Sequence, residues 1–307
     1  MTEFKTITRH AATVLAGQLA TMAFGVTDTI VAGRHSSEAL AALSIGSAIF
    51  VSVYVALMGV MQALMPVWAE LHGAKRMPDV GRSVRQALYL SAATMLLGMA
   101  VLMFPGALMR WTDVPQSVQA DVGNYLSVLA WALPAALLFR IFSTLNQSLG
   151  HPRLVTWLQL GSLLVKVPLT LWFALGGWGL EPQGATGCAW ATLVVNYTLL
   201  GLAIWLLRTQ ALYRPYRIWQ RMERPDRIQL MAFARLGIPA GLAIMVEVTS
   251  FTLMALFIAR QGTTASASHQ IASNLAAVLY MVPLSIAIAT SARVSYWLGA
   301  AQPAHAR

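Results

Sequence analysis

Three charged residues sit where water should be absent: Asp28, Lys166 and Glu247 each fall inside an apolar run long enough to cross a bilayer. A charge inside such a span costs about 2.5 to 3.5 kcal/mol on insertion scales, so those that persist face a bundle interior or a wet cavity. A carboxylate in a half-desolvated cleft can bind a proton and release it when a cation arrives, which gives exchange of one cation for another a physical basis. Glu247, in MVEVTSF, lies about ten residues into its run. Its oxygens suit a hard monovalent cation such as Na+ as well as a proton. Its bland alternative is a structural partner for a buried base. Asp28, in GVTDT, lies nearer the end of its run, where solvation or snorkelling is the competing reading. Lys166, in LLVKVPLT, either pairs with Asp28, titrates in its own right, or snorkels.

The elements that must carry these residues are membrane helices. Of 307 residues, 57% are hydrophobic and 10% charged, with mean hydropathy +0.63. A soluble domain carries roughly 25% charged residues, so a single soluble core is excluded. Hydropathy predicts eight spans near 11–33, 41–68, 86–109, 124–145, 154–175, 185–207, 237–259 and 269–291. The first run is longer than the apolar part of a signal peptide and reads as a retained helix.

The net charge of +10 would suggest nucleic acid were it not confined to short loops between spans. The loop after the second span carries His72, Lys75, Arg76, Arg82 and Arg85, and that after the sixth carries Arg208, Arg214, Arg217, Arg221, Arg224, Arg227 and Arg235. Loops on the other side hold Arg34 with Glu38, Arg110 with Asp113 and Asp121, Glu181, and Arg260. The positive-inside rule then places both ends of the chain in the cytoplasm, in a bacterial-type inner membrane, with the lipid bilayer as partner and no nucleic acid.

The single cysteine, Cys188, excludes an intrachain disulfide, and no Cys/His spacing suits a structural metal or a cofactor. No Ser/His/Asp, HExxH or P-loop arrangement appears, so an integral-membrane enzyme is disfavoured.

A shift of 226 residues pairs Arg34 with Arg260, Ile45 with Ile271, Ser47 with Ser273, Tyr54 with Tyr280, and Gly73–Ala74 with Gly299–Ala300. Like-oriented repeats related by an axis along the membrane normal are one plan of secondary transporters. The expected domains are a six-helix lobe over 1–207, a linker over 208–236 containing Pro215 and Pro225, and two helices of a second lobe over 237–307. On this repeat, four further helices would complete the second lobe.

The segments GVTDTIVAGRHSSEALAALSIGSAIF (25–50), LMPVWAELHGAKR (64–76), RLGIPAGLAIMVEVTSFTLMALFIARQGTTASASHQIASNL (235–275) and MVPLSIAIATSARVSYWLGA (281–300) resemble the NorM branch of the multidrug and toxic compound extrusion (MATE) family. The resemblance implies an all-α transporter of two six-helix lobes around a cleft. It implies secondary active export of cationic and amphipathic drugs by antiport with H+ or Na+, with no other cofactor and a monomer at full length.

It also implies that Glu247 is the seventh-helix cation-binding acid, with Na+ as one possible occupant, and that Asp28 is the first-helix acid that switches protonation during the transport cycle, the two together carrying cation or proton coupling. Lys166 departs from the asparagine common in the family, and Thr170 from an asparagine or aspartate, which disfavours Na+ in the first lobe. Gln18, Thr27, Thr170 and Asn274 are candidate polar cleft residues, with Gln62, Asn146, Asn196, His269 and Gln270 as further polar companions. Trp111 and Trp178 read as interfacial anchors.

Pro134, Pro168, Pro239 and Pro283 lie in or at the edge of spans, while the first helix has Gly17 and Gly25 but no proline. Two alternatives stand beside the antiporter. One is an inactive fragment, because the tenth-helix acid of NorM-type members is absent. The other is a flippase for lipid-linked precursors, for which only Lys166 and Arg140, the latter near a helix end, offer basic groups.

Overall fold

The computed structural model describes residues 3–106, 116–177, 179, 181–259 and 263–302. Arg110, Trp111, Asp113, Trp178 and Arg260 lie outside the described residues, as do the side chains of Gln270 and Asn274. The described chain is all-α: α1 (Glu3–His35), α2 (Ser37–Gln62), α3 (Met65–Gly73), α4 (Met77–Met103), α5 (Gln116–Ser148), α6 (Pro152–Leu175), α7 (Gly184–Thr209), a 3-10 turn (Ala211–Tyr216), α8 (Arg227–Ala259) and α9 (Thr263–Gly299). Among the described residues, eight segments are long and apolar enough to span a membrane, α2 and α3 counting as one.

Most helices outrun the apolar windows that announce them. α1 begins at Glu3 rather than near residue 11, and α8 at Arg227 rather than 237. Hydropathy stops where headgroups begin, whereas backbone hydrogen bonding continues through the amphipathic turns beyond. The predicted 41–68 span is broken at Ala63–Leu64, where Pro66 enters the first turn of α3 and cannot donate to the preceding helix. In the repeat, position 66 corresponds to Ala292, and α9 runs through without interruption.

α5 is the central helix: 83% of its apolar window is buried, against 17–28% for every other span. α2, α4 and α7 pack on it, and α1 packs on α6. Outward-facing Leu96, Leu164 and Phe257, each more than 60% exposed, suit contact with lipid rather than water.

The 226-residue shift is written into the packing. α1 packs on α9 as α8 packs on α2, and α3 meets α9 at the end of the bundle that carries the N-terminus. There Gly73 abuts the Tyr296 carbonyl and Gly299 abuts the Glu70 carbonyl, so that an added Cβ would come within 1.9 and 2.0 Å respectively. Since Gly73 maps onto Gly299 and Glu70 onto Tyr296, each contact is the image of the other, as in a twofold interface. Glu3 and Arg293 form an ion pair at 2.7 Å across the same junction.

The irregular connection runs over 210–226, shorter than the expected 208–236, and it is docked. Arg85 of α4 donates to both Glu223 carboxylate oxygens and to the Arg217 carbonyl, while Gln86 donates to the Arg224 carbonyl and accepts from the Asp226 amide.

Candidate functional site

Asp28 and Lys166 are brought together. α1 and α6 lie side by side, and Lys166 Nζ stands 2.8 Å from Asp28 Oδ1 and 3.0 Å from Oδ2. Lys166 is completely buried and Asp28 is 8% exposed. The ammonium is saturated by its two other partners, the Thr192 hydroxyl at 2.6 Å and the Cys188 carbonyl at 3.2 Å. Thr170, one helical turn after Lys166, donates to Asp28 Oδ1 at 3.3 Å. Lys166 therefore does not snorkel, and Asp28 is not a solvated helix-end residue.

Sequence reasoning missed Thr192 and Cys188. Their i, i+4 spacing on α7 puts both on one face, but nothing in the sequence says that this face meets α6.

Beside the pair lies a cavity of about 400 Å³ among α1, α2, α5, α6 and α7. Its walls are largely aromatic and apolar, including Phe24, Phe50, Tyr54, Tyr125 and Phe139. α1 contributes Gln18, Thr21, Gly25, Asp28 and Thr29. Thr27 does not line this cavity: one residue from Asp28, it is turned about 100° around the helix, and its hydroxyl bonds the Ala23 carbonyl at 2.9 Å. Thr170 reaches the site through Asp28 rather than by lining the cavity. A separate polar depression of about 420 Å³, lined by His35, Glu38, Asp121 and Gln183, opens at the far ends of α1, α5 and α7.

At the opposite end of the cavity from Asp28, Arg140 of α5 is buried to 7% exposure. It sits two turns inside α5 rather than near a helix end, because α5 continues to Ser148.

Glu247 stands apart from this cavity. It is half-buried on α8, and its Oε2 accepts from Tyr280 Oη on α9 at 3.5 Å. Among the described residues it has no basic group within 4 Å. One carboxylate and one phenol supply fewer oxygens than a closed cage for a hard cation requires. The candidate Asn274 lies on α9 with its side chain outside the described residues.

The fold and site define a multi-pass helical membrane protein built on like-oriented repeats, with ionisable residues held inside its spans. The family model for MatE matches residues 14–172 and 239–307, and the chain belongs to the multidrug and toxic compound extrusion (MATE) family. Among curated relatives, the probable multidrug resistance protein NorM of Aromatoleum aromaticum is 40% identical over 295 residues, covering 96% of this chain and 64% of its own. The multidrug resistance protein PmpM of Pseudomonas aeruginosa is 33% identical over 314 residues, covering 99% and 64%. This chain thus spans just under two thirds of the length of each.

Of solved structures, the Vibrio cholerae MATE transporter VcmN superposes with TM-score 0.89 at 17% identity, over 99% of this chain and 68% of that one. The MATE transporter NorM-NG, solved in complex with rhodamine 6G and a monobody, superposes with TM-score 0.74 at 26% identity, over 94% and 63%.

Proposed function

We propose that this chain supplies the first lobe and the opening helix pair of the second lobe of a secondary active multidrug efflux transporter. It would export cationic and amphipathic compounds by antiport with H+ or Na+ from a bacterial inner membrane, with the N-terminus in the cytoplasm. The concentration of arginine in the loops at the N-terminal end supports that orientation. The observation that carries the coupling assignment is the contrast between the two acids. Asp28 is already neutralised by Lys166, whereas Glu247 has no basic partner among the described residues and faces only a phenol.

A cation and a proton can compete for Glu247 directly. At Asp28 a cation would first have to displace a buried ammonium, which leaves that charge uncompensated. Asp28 and Lys166 therefore act as a unit that fixes the packing of α1 on α6, and exchange is assigned to Glu247, with Na+ as one possible occupant.

The test is rhodamine 6G efflux from proteoliposomes under an imposed H+ or Na+ gradient. Wild-type efflux should collapse in Glu247→Gln and be driven by one of the two ions. Undiminished efflux in that variant would remove Glu247 from the mechanism. Absence of gradient-driven efflux in wild type would favour the inactive-fragment reading.

A further inference from the structure

The segment that joins α7 to α8 turns its acids onto a neighbouring helix and keeps its bases outward. Between Arg208 and Arg227 stand six arginines, Arg208, Arg214, Arg217, Arg221, Arg224 and Arg227, and only two acids, Glu223 and Asp226. Both acids are taken by α4, Glu223 by Arg85 and Asp226 by Arg82 at 3.8 Å. Among the described residues no carboxylate lies within 4 Å of any of the six arginines, and all six are exposed.

The residues between them hold the backbone in place. Tyr213 and Tyr216 of the 3-10 turn are buried, Tyr213 Oη donating to Asn146 Oδ1 at 2.7 Å and Tyr216 Oη pairing with His72 Nδ1 at 3.1 Å. The carbonyls of Arg217 and Arg224 accept from Arg85 and Gln86, so this stretch of chain is fixed against α4 while its guanidinium groups face outward.

An apolar component lies among the charges. Trp219 Nε1 donates to the Leu207 carbonyl at 3.1 Å, which ties the indole to the end of the spanning helix α7, and the Arg208 guanidinium lies over its ring at 4.5 Å. Trp219, Met222 and Ile228 are all exposed. Indoles gather where hydrocarbon gives way to headgroups, and basic clusters immediately beside a span attract anionic lipid. A topology signal needs only a surplus of positive charge. It does not require the segment's acids to be engaged by another helix, or an indole to be pinned at the end of a span.

We infer that this segment is a binding surface for anionic phospholipids, their phosphates meeting the outward guanidinium groups and Trp219 lying at headgroup level. Placing that surface in the cytoplasmic leaflet rests on the proposed orientation, whereas the binding itself does not.

The test is native mass spectrometry of the full chain in detergent, offered equal amounts of phosphatidylglycerol and phosphatidylcholine with identical acyl chains. One arginine near a lipid surface is worth about five-fold in affinity, so wild type should retain the anionic lipid in about ten-fold preference or more. Arg208→Gln/Arg214→Gln/Arg221→Gln should bring the two lipids within about two-fold of each other. Lysine at the same three positions keeps the point charges and should hold the preference within about three-fold of wild type. Lys5→Gln/Lys75→Gln/Arg76→Gln removes as many positive charges from exposed positions elsewhere at the same end of the bundle, and should leave the preference unchanged.

Equal retention of the two lipids by wild type overturns the proposal. So does a preference that survives in the glutamine variant, or one that falls as far in the Lys5, Lys75 and Arg76 control, since net charge alone would then account for it. If the triple glutamine variant fails to fold, the three single variants decide in its place, each expected to lower the preference by about five-fold. A short polyuridylate added at equal phosphate concentration should leave the retained phosphatidylglycerol in place. Its displacement by the RNA would make the surface a general polyanion face and refute the lipid assignment.

Discussion

Lys166→Met removes the buried ammonium while keeping nearly the same side-chain length, and its consequence can be worked from the geometry. Lys166 is fully enclosed and the Asp28 side chain is 12% exposed, so water contributes little screening to the charge left behind. Breaking a buried pair from one side typically costs about 3–5 kcal/mol. The variant has an escape, which is to fold with Asp28 protonated. From an unfolded aspartate near 3.9, taking up that proton costs about 1.4 kcal/mol per pH unit, or about 4 kcal/mol at pH 7 and about 1.5 kcal/mol at pH 5.

The folded variant would then bind more protons than its unfolded state, so its stability must fall as pH rises from 5 to 8, relative to wild type. Thermal unfolding of wild type, Lys166→Met, Asp28→Asn and the double variant in detergent should show this slope in Lys166→Met. It should be absent in the double variant, which ought to recover most of the loss. A Lys166→Met deficit equal at pH 5 and pH 8, or a double variant no more stable than the single, would mean that the lysine acts through packing alone.

Two other expectations concern the same end of the bundle. Gly299→Ala forces a methyl group against the Glu70 carbonyl, where the ideal distance is 2.0 Å, and should cost about 1–3 kcal/mol as overpacking. It should also raise cysteine-labelling rates at Ala292→Cys, buried against Met65 in the same junction; an unchanged rate would mean that the contact does not hold the two repeats together. In the docked connection, hydrogen bonding from Arg85 holds Glu223 below the usual glutamate range, so its contribution is complete above about pH 4.5 and is lost as pH falls through the lowered value. Amide exchange across 217–226 should therefore be flat from pH 6 to 8 after correction for intrinsic rates, and should lose protection in acid or in Glu223→Gln.

The spans were legible because hydrocarbon demands uninterrupted apolar runs, and the 226-residue repeat because Gly73 and Gly299 must each admit a facing carbonyl. The pairing of Lys166 with Asp28 was open to inference from opposite charges at unusual depth. Less could be read where neighbours decide. The orientation of Thr27 depended on which stripe of α1 meets the cavity, and a one-residue step separates Asp28, which lines it, from Thr27, which does not. Arg140 looked like a helix-end residue until α5 was seen to run on to Ser148 as the central helix. The break before Pro66 was signalled by the proline itself, but the hydropathy window averaged across it.

The repeat also shows why the two acids should not be expected to do the same work. Under the 226-residue shift Glu247 corresponds to Thr21 and Asp28 to Met254, so neither acid has an acidic counterpart, and the two positions differ by seven residues. Seven residues are two helical turns, about 10 Å along the axis. Tyr54 and Tyr280, by contrast, are true equivalents: one lines the first-lobe cavity and the other meets Glu247. A scaffold that keeps Gly73 and Gly299, and Tyr54 and Tyr280, in register while displacing its acids has kept the joint and changed the chemistry on either side of it. In the first repeat the acid is pinned by a lysine and the adjacent cavity is left to an arginine. In the second, no base among the described residues stands within 4 Å of Glu247, and on the proposed exchange the balancing charge is the cation or proton that binds there.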